Sequence, residues 1–134
     1  MSDDDYYPEG DPDDWDIIDA KWASFMDAVK ANPITTVIHI KKCVSPYFEK
    51  VRDWEKQFEI RLNDCGYTEG DFIIQRHYCP RLKKYLEGST FHKIGFMTDF
   101  EQKPGYVVFG LLDPSDVEEH ILKRKLKEVL ENDR

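Results

Sequence analysis

Apolar and polar positions recur along this chain in two rhythms, and the change from one to the other divides it. Between residues 13 and 32 Trp15, Ile18, Trp22, Phe25, Met26 and Val29 return every three or four positions. Asp13 or Asp14 is placed to cap this stretch and Pro33 to stop it, so an amphipathic helix is predicted over 13–33. From residue 34 to 112 the rhythm shortens toward two, and strands are predicted at 34–40, 56–62, 71–78, 91–98 and 106–112. A short helix, 45–53, follows the first strand, and a polar loop separates the third from the fourth. Ser115-x-x-Glu118 reads as a capping box that opens a C-terminal helix within 113–134, with Val117, Ile121, Val129 and Leu130 as its buried stripe. Mixed strands with one early helix and short connections predict an α+β domain on a small, curved or closed sheet.

The stretch richest in chemistry is K-Q-F-E-I-R-L-N-D-C-G-Y-T-E-G, residues 56–70. Alternation sets Phe58, Ile60 and Leu62 on one face and Gln57, Glu59 and Arg61 on the other. The charged pair is expected to point into a cleft or solvent while its apolar neighbours bury. A carboxylate beside a guanidinium offers an acceptor and a planar fork of donors, suited to a heterocyclic base, a carboxylate or a phosphate. The same pair equally fits a surface ion pair worth about 0.2–1 kcal/mol.

Charge changes this picture only in its distribution. The formal net charge is −8, yet residues 1–33 hold ten acids and two lysines, residues 34–112 ten acids and twelve Lys or Arg, and residues 113–134 seven acids and five Lys or Arg. The negative excess therefore sits in the N-terminal part, where residues 1–12 are predicted to be a disordered acidic leader. The body has too weak a positive field for sequence-independent binding to duplex DNA, so a nucleic-acid target has to be gripped in a pocket. No apolar run is long enough to span a bilayer, and the first residues are unlike a secretory or mitochondrial leader. With Cys43, Cys65 and Cys79 as an odd set of thiols, the expectation is a cytoplasmic protein with reduced cysteines and no membrane partner.

Five blocks in order carry a resemblance: His39-x-x-Lys42-Cys43, Tyr47-Phe48-x-x-Val51, Lys56-x-Phe58-Glu59-Ile60-Arg61-x-Asn63-Asp64, Glu69-Gly70-Asp71 and Gly105-Tyr106-Val107-Val108-x-Gly110. Over residues 34–112 the chain resembles a phage and bacterial family of small uncharacterised proteins with the ASCH-type, PUA-like fold. The resemblance implies a small mixed β-barrel of five to six strands, a helix after the first strand, and a cleft that binds RNA or single modified bases. The superfamily signature Gly-x-Lys-x-x-Glu-x-Arg falls on Trp54, Lys56, Glu59 and Arg61, with Trp54 in place of the glycine. A tryptophan there is expected to avoid a glycine-only backbone conformation, and its ring either stacks on a base or plugs the cleft. Lys56, Glu59 and Arg61 are thus the expected contacts to RNA or a nucleotide-like ligand, with Asn63, Trp54, His39 and Lys42 around them. Some members of the superfamily look like amidohydrolases acting on a modified nucleoside. They carry a threonine where this chain has Glu59, so the reading leans away from an enzyme.

Other constellations are weaker. His77-x-Cys79 with His39 and Cys43 lacks the close cysteine pairs of a tetrahedral metal site, and neither metal nor cofactor is expected. Residues 75–85 interleave Arg76, Arg81, Lys83 and Lys84 with Tyr78 and Tyr85, as the rim of a single-strand site does and as a solvated hairpin loop also does. The acidic leader and its tryptophan-bearing helix, residues 1–33, fit either docking on a protein partner, as a host-interference protein would use them, or completion of the domain's own core.

Overall fold

The computed structural model describes the backbone of residues 12–132 and the side chains from Ala20 onward. The acidic leader, apart from the backbone of Pro12, and the side chains of Trp15 and Ile18 lie outside the described residues. Two compact units result, one ending at Pro33 and one beginning at Ile34. The first contains helix α1 (Pro12–Ala31), opened by a proline at a position that needs no amide donor and followed by Pro33. On it Trp22 and Phe25 stack with ring centroids 5.5 Å apart.

The second unit runs β1 (Ile38–Cys43), α2 (Tyr47–Arg52), β2 (Phe58–Leu62), β3 (Phe72–Cys79), β4 (Lys84–Thr98), β5 (Tyr106–Leu112) and α3 (Asp116–Asn132). Its five strands form one mixed sheet in the order β1-β3-β4-β5-β2. Only β1 and β3 are parallel. The sheet curls into a half-barrel with helices at its ends, an α+β architecture. Its edge strands β1 and β2 share no ladder, and the Arg61 side chain on β2 bridges them by donating to Lys42 O on β1 at 3.0 Å.

Two apolar clusters flank the sheet. Val51, Tyr67, Ile73, Ile94, Val107, Phe109 and Leu111 fill its concave side. Phe72 and Ile74 lie on the other side beneath Leu122 of α3, with Ile38, Ile40 and Phe91 against them. β3 is buried on both faces, which explains why it reads Phe-Ile-Ile rather than alternating.

Several sequence expectations move. β1 starts at Ile38, because the preceding residues are held by Thr36 Oγ1 to Gly70 O (3.0 Å) and Val37 N to Asp71 Oδ1 (3.3 Å) instead of a ladder. The polar loop after β3 is the first half of β4, since Tyr85 and Lys84 pair with Tyr78 and Cys79. Gly88 in that half has φ +112°, and a Cβ on it would meet the Phe48 ring at 3.1 Å, so α2 can press against this strand only where the side chain is missing. The capping box forms as expected, Glu118 N donating to Ser115 Oγ (3.2 Å) and Ser115 N to Glu118 Oε1 (2.8 Å). The buried positions of α3, however, are Ile121 and Leu122, while Leu130 is exposed.

The largest correction concerns β2. Its two faces alternate as expected but with the burial inverted: Glu59 is buried and Arg61 half-buried, whereas Phe58, Ile60 and Leu62 are exposed. Register supplies the reason. Glu59 and Arg61 pair with Phe109 and Val107, which point into the half-barrel, so the charged side chains enter it too.

Candidate functional site

The end of β1, the start of α2 and the start of β2 enclose a cleft of about 420 Å³ lined by Lys42, Cys43, Tyr47, Lys56, Glu59 and Arg61, with Phe58 and Ile60 at its edge. Its geometry begins with the end of α2. Trp54 N donates to Val51 O (3.2 Å) and Glu55 N to Lys50 O (3.0 Å), the paired bonds of a Schellman helix end. That motif puts one residue in the left-handed region, and here it is Trp54, at φ +62°. The expectation that tryptophan avoids a glycine-type conformation is therefore corrected. Trp54 takes a backbone conformation that glycine adopts most easily, at a conformational cost of about 1–2 kcal/mol.

Beyond that turn Lys56 Nζ lies 2.9 Å from Glu59 Oε1, and Arg61 Nε lies 3.6 Å from Glu59 Oε2. Arg61 also donates from Nη2 to Gln75 Oε1 at 2.9 Å, in addition to Lys42 O. The Lys56 ammonium sits 5.1 Å from the Phe58 ring centroid and 5.8 Å from that of Tyr47, which is itself exposed. Three buried polar atoms of this group have no directed hydrogen bond: Glu59 Oε1, which Lys56 approaches as an ion pair only, Arg61 Nε and Gln75 Nε2. Burial and the neighbouring Glu59 carboxylate push the Cys43 thiol up to about 11, so it is protonated at neutral pH and is no ready nucleophile.

Four of the sequence-predicted residues, Lys42, Lys56, Glu59 and Arg61, come together here. The other three do other work. Asn63 Oδ1 accepts from Tyr67 N at 2.7 Å and shapes the loop after β2. His39 Nε2 meets Asp71 Oδ2 at 2.9 Å with both groups buried, and Asp71 accepts further from Val37 N and Thr68 N, so this pair fastens the starts of β1 and β3. The Trp54 ring meets His92 edge-on at 5.2 Å. Burial lowers the His92 pKa, against the opposing pull of Asp113 and Glu59.

Sequence reasoning missed Gln75 and Tyr47 as site residues. Gln75 was visible as the one amide in an apolar central strand, and Tyr47 as the ring that opens the second block of the resemblance. It also missed a contact between Ser45, Glu49 and His77. Ser45 Oγ donates to Glu49 Oε1 (2.5 Å) and lies 2.9 Å from His77 Nε2, while His77 stacks on Phe48 at 4.4 Å. Because the serine proton is engaged by a carboxylate whose pKa that bond lowers, the histidine is not placed to remove it, and the contact fixes the start of α2. In the hairpin, Lys42 Nζ lies 4.1 Å over Tyr78 and the Arg76 guanidinium 3.6 Å over Tyr85, so rings and cations there engage one another. Among the described residues no group of three His, Cys, Asp or Glu side chains is placed to hold a metal ion, and no helix is long and apolar enough to cross a membrane.

A search of curated proteins finds no match to the chain. Residues 38–111, more than half of its length and the part that builds the sheet and the cleft, match the family described as a domain of unknown function (DUF3850), and the chain belongs to that family.

Proposed function

We propose that this chain is a binding module for RNA or a nucleotide-like ligand, which enters the cleft of a PUA-like, ASCH-type half-barrel. The observation that carries the reading is a buried acceptor and donor on two cleft-lining residues, Glu59 Oε1, met only by the Lys56 ion pair, and Arg61 Nε, with Gln75 Nε2 buried behind them, none of the three in a directed hydrogen bond. Buried polar atoms in native proteins are overwhelmingly paired, and a planar polar ligand would pair these. Glu59 accepts from an exocyclic amine, Arg61 and Gln75 donate to ring carbonyls or nitrogens, Lys56 adds charge toward a phosphate, and the exposed Tyr47 ring offers a stacking face. The cleft volume falls within the range of small-ligand sites, roughly 300–1,000 Å³. The order of the five sequence blocks supports the same fold-level reading.

The test is binding of the purified chain to short single-stranded RNAs, single-stranded DNAs and modified nucleosides, with Tyr47→Ala, Lys56→Ala and Glu59→Gln alongside. Tyr47 and Lys56 are chosen because neither closes the sheet. Expected is binding to at least one member, weakened about tenfold or more by each substitution, with folding intact in Tyr47→Ala and Lys56→Ala. Absence of binding across the panel, or binding indifferent to all three changes, overturns the reading.

A further inference from the structure

The inverted burial of β2 leaves an apolar face on the outer side of the sheet, which meets the cleft at its edge, where Phe58 and Ile60 border both. Phe58, Ile60 and Leu62 of β2 point outward beside Leu112 of β5 and Phe96 of β4, with Phe100 just beyond the end of β4. The register makes these neighbours: Phe58 opposes Gly110, Ile60 opposes Val108, and Leu112 lies over Gly95. Phe96 is 76 % exposed, Phe100 74 % and the other four between 44 % and 51 %. Six large apolar side chains on one face exceed the scattered exposure usual for a monomer.

We propose that this face joins two copies of the chain. Three properties select a second copy over other occupants. With roughly 200 Å² for a phenylalanine and slightly less for leucine or isoleucine, the six side chains expose on the order of 650 Å². Paired about a two-fold axis they would bury on the order of 1,300 Å², above the roughly 1,000 Å² that a specific interface needs. The outward residues of β2 and β5 carry no charge, and Lys93 of β4, opposite Leu112, lies 3.9 Å from Glu118, so a two-fold pairing brings few unpaired like charges together. The face also offers one projecting ring and one open position. Phe96 projects from the bulge between Ile94 and Met97, while a Cβ on nearby Gly110 would meet nothing within 4 Å. In an isologous pair the Phe96 of one copy seats over the Gly110 of the other.

The inference needs no ligand in the cleft, although Phe58 and Ile60 border both surfaces. Its test is the oligomeric state of the full chain, by sedimentation and by light scattering coupled to gel filtration, across micromolar to sub-millimolar concentration. Wild type is expected to dimerise. Phe96→Asp, at an exposed position, and Gly110→Val, which fills space open in the single chain, are each expected to weaken the dimer about tenfold or more while the far-ultraviolet circular dichroism stays unchanged. A wild type that remains monomeric throughout overturns the proposal, and so does a dimer that survives both substitutions. A monomeric chain whose face captures a different protein would assign the face to that protein and overturn it as well.

Discussion

Removing the Arg61 guanidinium should open the half-barrel at a side-chain bridge between its edge strands. Arg61 donates to Lys42 O at 3.0 Å and to Gln75 Oε1 at 2.9 Å, so a single side chain on β2 holds both β1 and β3. A hydrogen bond with one charged member contributes about 1.5–3 kcal/mol net. Arg61 keeps 21 % of its side chain in water, which favours the lower end for both bonds. Arg61→Ala also leaves the fully buried Gln75 amide without its partner and Glu59 with Lys56 as its remaining cation. The expected loss is about 3 kcal/mol, a large share of the roughly 5–15 kcal/mol that stabilises a small domain. Urea unfolding of wild type, Arg61→Ala, Gln75→Leu and the double variant measures it, and the cycle should give a coupling of about 1–2 kcal/mol. Arg61→Lys keeps the charge but loses the fork, and should fall between the two. A loss below about 0.5 kcal/mol for Arg61→Ala, or a coupling indistinguishable from zero, would refute the claim that this side chain closes the sheet.

Other substitutions test other joints. At position 54, glycine should be more stable than alanine by about 1 kcal/mol in thermal or urea unfolding, reversing the order of an ordinary helix site, because φ there is positive; equal stability would show that the turn relaxes when the ring is removed. Cys43, raised to about 11 from 9.0, should resist iodoacetamide at pH 8 while exposed Cys65 reacts, as peptide mass mapping would read, and equal labelling would contradict the burial. His92 has its pKa lowered by burial, so the unfolded chain takes up a proton more readily than the folded one. The stability that its neutral form contributes is full above about pH 6.5 and is lost as the pH falls through the lowered folded value, and His92→Phe should flatten that part of the stability profile. Asp71→Asn should lower the thermal midpoint, because it weakens the buried contact to His39 and two backbone amides; an unchanged midpoint would count against the fastening role.

Strand and helix identities were legible where periodicity and caps agreed. The fifth strand falls on 106–112 as predicted, and Ser115-x-x-Glu118 forms its reciprocal bonds. Lys84 to Thr90 hid its strand because a hairpin arm exposed to water needs no apolar face, and its pairing partners lie on β3. Parity along residues 58–62 was readable, but its sign was not. Periodicity states which residues share a face, while register against Val107 and Phe109 decides which face turns inward. Of the candidate site, Glu59 and Arg61 were legible through strand alternation, and Lys56 through the resemblance. Asn63 and His39 stand in the same sequence blocks for another reason, since one shapes a loop and the other fastens two strands.

The spacing of Trp54, Lys56, Glu59 and Arg61 has a physical reading in three steps. The position of Trp54 is the left-handed residue that ends α2, so a glycine is the cheapest choice there and a tryptophan a tolerated one. Lys56 follows two residues on, before the strand begins, where its ammonium can return to Glu59 across an i,i+3 separation. Glu59 and Arg61 then share the inward face of β2, and only the longer arginine crosses to β1 and β3. The spacing is thus a requirement of folding before it is a requirement of binding. Glu59 and Arg61 are positioned by contacts within the protein, and what they offer a ligand is the capacity those contacts leave over: one carboxylate oxygen and one guanidinium nitrogen. Substituting them perturbs sheet and cleft together. Lys56 and Tyr47, which line the cleft without bridging the strands, are where recognition separates from stability.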